Sequence, residues 1–249
     1  MEVRDFISKK LMNIQRCYAY WLQVISLIKG LIPSLIFNFR YLPIKQAVKL
    51  PIWIYKPTFF KLSGRVKIDT PTIKTGMIRL GYMGGHMYPN TGIHWTVEGT
   101  VIFKGSCIIG NNSFIVVGKE SVVTFGPHFL ASTSLKLISF IGVEFGSFTR
   151  IGFDVMIMDT NFHPLYNINK QQFGKTYGPI KIGRHNWIST KSIVLHSVTT
   201  PRRCIFGMQS TITNRSECKS YSIHSGAPAK VIKEGVVRIF GKDKISKYV

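Results

Sequence analysis

The feature of this 249-residue chain that most restricts its fold is a six-residue repeat. It is clearest where Ile182, Ile188, Val194, Thr200, Phe206 and Ile212 follow one another at equal steps, four of the six being aliphatic. The residues four after the first five are Asn186, Ser192, Val198, Cys204 and Ser210, all of modest size. Shorter runs of the same step occur upstream: Ile109 and Ile115; Phe125, Ala131 and Leu137; Phe145, Ile151 and Ile157. Gly110, Gly126, Gly146, Gly152, Gly183 and Gly207 each directly follow a repeat position. A step of six fits neither the 3.6-residue period of a helix nor the turn spacing of a hairpin sandwich, about 8–12 residues. It fits short strands joined by tight corners, each strand sending one side chain inward, with glycine relieving strain at the bends. Three such strands close one triangular coil, and stacked coils bury a continuous apolar column. The period does not set the hand of the coil. A right-handed β-helix or an irregular all-β domain stays open at this point.

The repeat is broken once at length. Ile157 and Ile182 are 25 residues apart, and the loop between them contains Asp159-Thr-Asn-Phe-His163-Pro-Leu-Tyr166. Loops on rigid repeat scaffolds are common places for chemistry. A histidine there can accept a proton from a hydroxyl near neutral pH once its tautomer is fixed. By residue type alone a lone loop histidine is more often a plain surface residue.

Lys and Arg number 33 against 11 Asp and Glu, a formal charge of +22. That excess implies an acidic partner: an anionic membrane face, a phosphate-bearing substrate or nucleic acid. No recognisable nucleic-acid-binding motif accompanies the charge, so a nucleic-acid partner is not expected. Residues from Tyr18 to Phe39 are almost wholly apolar, but Lys29 and Pro33 interrupt them, and Gln23, Ser26, Gly30 and Ser34 form a narrow polar stripe at helical spacing. This pattern predicts an interfacial helix rather than a spanning one, with Lys9, Lys10, Arg16, Arg40, Lys45 and Lys49 as basic flanks. It is equally compatible with a helix packed on the protein or on a neighbouring subunit. The stretch from Tyr41 to Phe60, with Pro43, Pro51 and Pro57, reads as extended lead-in. Cys17, Cys107, Cys204 and Cys218 show no CxxC spacing, and no cleavable signal peptide is expected from the opening residues. A cytoplasmic setting is expected, peripheral at the inner face of the cytoplasmic membrane if the helix binds lipid, with buried thiols and no metal.

Three motifs carry a family resemblance: Ile157-Met-Asp-Thr-Asn-Phe-His163-Pro, Ile182-Gly-Arg-His-Asn-Trp187-Ile-Ser, and Ser225-Gly-Ala-Pro-Ala-Lys230-Val-Ile-Lys233. In this order and spacing they resemble the hexapeptide-repeat acyltransferases, which include sugar, galactoside, maltose and xenobiotic O-acetyltransferases. The lead-in, Phe37-Asn-Phe-Arg-Tyr-Leu-Pro43 and Lys45-Gln-Ala-Val-Lys-Leu-Pro51, is similar to that of bacterial capsule and surface-polysaccharide enzymes. The resemblance implies an all-β fold, a left-handed parallel β-helix. The expected layout is a basic helix and lead-in over 1–68, the β-helix over 69–233 with a catalytic loop at 158–181, and a tail over 234–249.

By the same resemblance the chain is an acetyl-CoA-dependent O-acetyltransferase, and His163 is the general base that deprotonates a sugar hydroxyl. The expected acceptor is a lipid-linked or nucleotide-linked glycan. Asp154 and Asp159 are the acceptor-binding candidates, although Asp154 also suits a corner cap. Thr190, or the backbone N–H of Ser189, stands where the oxyanion would be met. Trp187 would pack near the pantetheine arm, and it is equally a core or interface residue. Thr213, Lys230 and Lys233 match positions that meet the adenosine phosphates, and the lysines are equally solvated charges. Relatives form homotrimers in which the histidine of one subunit meets the coils of the next. Ser189, Leu195 and Pro201 replace the usual glycine after a repeat position, and Met208 and Gln209 stand where smaller residues are commoner. Two rivals remain. One is a scaffolding β-helix bound to a membrane or polyanion. The other is a zinc enzyme like the γ-class carbonic anhydrases, which needs three convergent histidines, for which His163, His185 and His196 are available.

Overall fold

The computed structural model describes residues 21, 30–84 and 88–240. The expected contributions of Cys17, Lys9, Lys10, Arg16 and the polar stripe before residue 30 lie outside these residues, as does 241–249. Residues 30–41 are helical, and a short helix follows at Ile44–Ala47. From Ile52 the described chain winds as a left-handed parallel β-helix with three faces, interrupted by the excursion between Met158 and Ile180. The first face runs from Ile52–Ile54 through Cys107–Gly110, Arg150–Ile151 and Trp187–Ile188 to Ser222–Gly226, where the antiparallel strand Ala229–Glu234 closes its edge. The second runs from Pro57–Lys61 to Thr211–Ile212, and the third from Arg65–Ile68 to Thr199–Thr200.

The repeat positions form the column. Ile182, Ile188, Val194, Thr200, Phe206 and Ile212 are all buried, as are the small residues Asn186, Ser192, Val198, Cys204 and Ser210. Thr200 is tolerated inside because its hydroxyl accepts from the Asn186 side chain at 2.6 Å and from the Gly183 N–H at 3.1 Å. Upstream, Phe103, Phe125 and Phe145 stack inside the third face with centroids 5.3 and 5.4 Å apart. The upstream runs are short for a topological reason. Rungs of the first face pair Ile109 with Ala131 and Ala131 with Ile151, so those coils carry extra residues at their corners. Later coils, pairing Ile188 with Phe206 and Phe206 with His224, take three hexads each. The last coils stay in register despite Ser189, Leu195, Pro201, Met208 and Gln209.

Two expectations are corrected. The first coil begins at Ile52, which pairs with Ile78, so the stretch expected as lead-in up to residue 68 belongs to the β-helix. The prolines there mask the six-residue step without preventing strands. The second concerns glycine. The left-handed corner positions are filled by Asn112, Ser134, Asp154, Lys191 and Gln209, with φ of 53–69°. The repeat glycines serve close approach instead: a Cβ on Gly126 would lie 2.6 Å from the backbone of Gly146, and one on Gly183 2.4 Å from that of Pro201. Within the tail, the Val236 N–H donates to the Tyr221 carbonyl at 2.7 Å, and residues 236–240 lie on the first face.

Candidate active site

The long break leaves the second face after Met156–Met158 and rejoins the third at Ile180–Ile182, so it springs from the corner between them. Its stem is held by a bridge between Thr160 and Tyr177 and by Gly178 N–H donating to the Asp159 carbonyl at 3.0 Å. Asp159 is fully buried. Its carboxylate accepts from the Ser139 hydroxyl at 2.7 Å and from the backbone N–H groups of Phe140, Ile141 and Gly142 at 2.8, 2.9 and 2.7 Å. Asp159 therefore anchors the loop to the preceding coil, which corrects its expected role as an acceptor-binding residue: its oxygens are filled from inside the protein. Phe162 packs edge-on against Phe140, and the Asn161 amide meets His196 Nε2 at 3.3 Å. On this base His163 is exposed. Its N–H donates to the Asn161 carbonyl at 2.7 Å, and among the described residues none hydrogen-bonds its ring.

The second group of candidates lies on the first face. Rung by rung, Arg150, Trp187, Ile205, Ile223 and Lys233 are direct partners, so they form one outward row. Lys230 pairs with Ser225, two residues from Ile223, which places Lys230 and Lys233 on the same side although they are three apart in sequence; Ile232 is the extra, bulged residue. Trp187 lies three rungs from Lys233, about 14 Å at the usual strand spacing. Around it is a cleft of about 370 Å³ lined by Phe148, Arg150, His185, Arg203, Arg238 and Phe240 among others. The Arg238 guanidinium sits 4.1 Å above the Trp187 ring. Burial, then the positive charges of Arg203, Arg184 and Arg150, push His185 below the ordinary histidine range.

On the corner between the first and second faces, Asp154 accepts a short hydrogen bond from the Tyr88 hydroxyl, whose ring stacks on Phe153. That bond to a carboxylate is the main cause of the raised pKa of Tyr88. Thr190 occupies the same corner one coil on. The Ser189 N–H donates to the Phe206 carbonyl at 3.0 Å within the ladder, so it is committed to holding coils together, which corrects its expected use as an oxyanion donor. Thr213 sits in the turn after Thr211–Ile212, where its hydroxyl accepts from the Arg215 N–H at 3.1 Å. It is on the corner that carries the histidine loop, apart from the two lysines. Tyr88, Arg238 and Ser139 were not foreseen. They carry no repeat signal and meet their partners only through the winding of the chain.

No family model matches the chain. The Mycobacterium tuberculosis protein Rv3034c, named a probable acetyltransferase, is 28% identical over 173 residues, covering 68% of this chain and 54% of that protein. The chain thus spans about half the length of the curated relative it matches. Among solved structures, that of the polySia specific acetyltransferase NeuO superposes with a TM-score of 0.51 at 19% identity, covering 77% of this chain and 94% of that one. This chain has the hexapeptide-repeat β-helix fold.

In this hexapeptide-repeat β-helix the candidates fall into two sets that one chain does not bring together. His163, Asp159 and Thr213 belong to the corner between the second and third faces. Trp187, Lys230 and Lys233 lie on the first face, with Asp154 and Thr190 at its border with the second. Among the described residues no three His, Cys, Asp or Glu side chains cluster as a metal site: His163 is on the loop, His196 at its base, and His185 on the corner between the third and first faces.

Proposed function

We propose that the chain is an acyl-CoA-dependent O-acyltransferase that moves an acetyl group from acetyl-CoA to a sugar hydroxyl, in bacterial surface or capsular polysaccharide synthesis. The observation that carries the reading is the long break in the repeat at 158–181, which presents His163 to solvent from a base locked by four hydrogen bonds to buried Asp159. A rigid mount for an exposed histidine suits a base that must meet a hydroxyl on a separate substrate. The names of the relative and of the structural neighbour, both acetyltransferases, support the same class.

In the proposed reaction the His163 imidazole takes the acceptor hydroxyl proton as that oxygen attacks the thioester carbonyl carbon. The tetrahedral intermediate collapses, the carbon–sulfur bond breaks, and the imidazolium returns its proton to the departing thiolate. The Thr190 hydroxyl is the oxyanion donor that remains once the Ser189 N–H is assigned to the ladder. Trp187 lines the thioester arm, Lys230 and Lys233 meet its phosphates, and Asp154 with Tyr88 faces the acceptor. Direct transfer fits the thiols of the described residues: burial raises Cys107 well above its usual value, Cys204 to about 12 and Cys218 to about 11, so none of these three is a ready nucleophile. The separation of the two residue sets supports a homotrimer, in which the loop of one subunit meets the first face of the next.

The test is acetyl-CoA turnover with candidate glycan acceptors, read as a mass gain of one acetyl group on the acceptor. His163→Ala should lower the rate by about 10²–10⁴-fold with the melting temperature unchanged, since the side chain is exposed. Unchanged turnover would exclude the mechanism.

A further inference from the structure

The helix at 30–41 is inside out. The residues it turns toward the β-helix include Ser34 and Asn38, 1% and 0% exposed, whereas Ile32, Ile36 and Phe39 on the opposite side are 67%, 56% and 50% exposed. The inward polar residues have a definite task. Ile52–Ile54 is the terminal strand of the first face, paired on one edge only, and its free edge needs partners. The Asn38 amide accepts from the Ile52 N–H at 3.2 Å and donates to the Ile52 carbonyl at 2.7 Å, while the Ser34 hydroxyl accepts from the Ile54 N–H at 3.0 Å. Phe37 plugs the column, 5.1 Å from Trp95 and 6.1 Å from Phe59. The polar stripe is thus the protein-facing side, and the apolar stripe is left outside. Ile44 and Val48, at the two ends of the short helix that follows, are exposed as well.

Charge identifies what covers it. Residues 6–68 contain no Asp or Glu, and 30–68 carry Arg40, Lys45, Lys49, Lys56, Lys61, Arg65 and Lys67. Two copies meeting through this end would bring like charges together. A wide apolar strip bordered by lysine and arginine matches an anionic lipid surface, where apolar burial and headgroup attraction add. Among the described residues no helix is long and apolar enough to cross a membrane. We propose that this end of the column docks on an anionic phospholipid bilayer, with Ile32, Leu35, Ile36, Phe39, Ile44 and Val48 entering the headgroup boundary. The histidine loop leaves the fifth rung of the second face, so it would stand roughly 20 Å beyond the docked coil.

The experiment is co-sedimentation of the full chain with phosphatidylcholine vesicles with and without phosphatidylglycerol, alongside light scattering for oligomer mass. Wild type should bind the anionic vesicles, less at high salt. Ile32→Ser with Ile36→Ser and Phe39→Ser should weaken binding at least tenfold with mass and circular dichroism unchanged. Should that triple variant misfold, Ile44→Ser with Val48→Ser gives the same reading from the short helix that follows, and Lys45→Gln with Lys49→Gln should weaken binding severalfold. Wild type that ignores vesicles, variants that bind as wild type does, or a change of oligomer mass in place of lost binding would each overturn the proposal. None of these readouts depends on acyl transfer.

Discussion

The histidine corner and the first face solve opposite problems with the same coil. At the corner between the second and third faces the chain abandons the repeat, and one buried carboxylate, Asp159, holds the excursion in place through four donors. On the first face the ladder of rungs is unbroken from Arg150 to Lys233, and it presents a straight row of outward side chains. In the proposed reaction the corner supplies the base, His163, and the face supplies the donor-binding row. Each is half of the proposed site, and on that proposal their separation within one chain calls for a neighbouring subunit to complete it.

The largest effect expected from breaking this comparison falls on the corner. Asp159→Ala takes the acceptor from the buried Ser139 hydroxyl and from three half-buried backbone N–H groups and should cost roughly 3 kcal/mol in chemical denaturation, with transfer falling alongside. First-face changes should be milder and should act on donor binding. Lys230→Ala with Lys233→Ala removes two exposed charges and should raise the KM for acetyl-CoA about tenfold, with kcat and stability nearly unchanged. An effect on kcat alone would detach the row from the donor.

The smallest effect lies beneath the same row. His224 is buried, accepts from the Lys219 N–H at Nε2, and is held below the ordinary histidine range by its burial. His185 is depressed as well. The unfolded chain binds protons at these residues more readily than the folded one. Their stability contribution is therefore complete above the unfolded value of about 6.5 and is lost as pH falls below it. Denaturation midpoints should drop from pH 7 to pH 5.5, and His224→Gln should flatten that slope.

Much of this arrangement was legible before any coordinates. The repeat positions are the buried column, and the break that carries His163 is where the chain departs from it. What stayed hidden depended on partners far along the chain. Asp159 beside a histidine reads as chemistry until Ser139 and the turn at 140–142 are seen to fill its oxygens. Asp154 gives no sign of Tyr88, which is 66 residues away. The first coil was hidden by Pro51 and Pro57, and the helix by its inverted polarity: a polar stripe normally marks the wet side, and here Asn38 spends its amide on a strand edge.

The central claim is that the two half-sites come from different subunits. Chains carrying His163→Ala and chains carrying Trp187→Ala, each inactive alone, would be unfolded together, refolded as mixed oligomers and assayed for acetyl transfer. The shared-site account predicts recovery to roughly a quarter of wild-type turnover at equal mixing, because random assortment pairs an intact histidine with an intact tryptophan at that frequency. Mixed oligomers as inactive as their parents would contradict it.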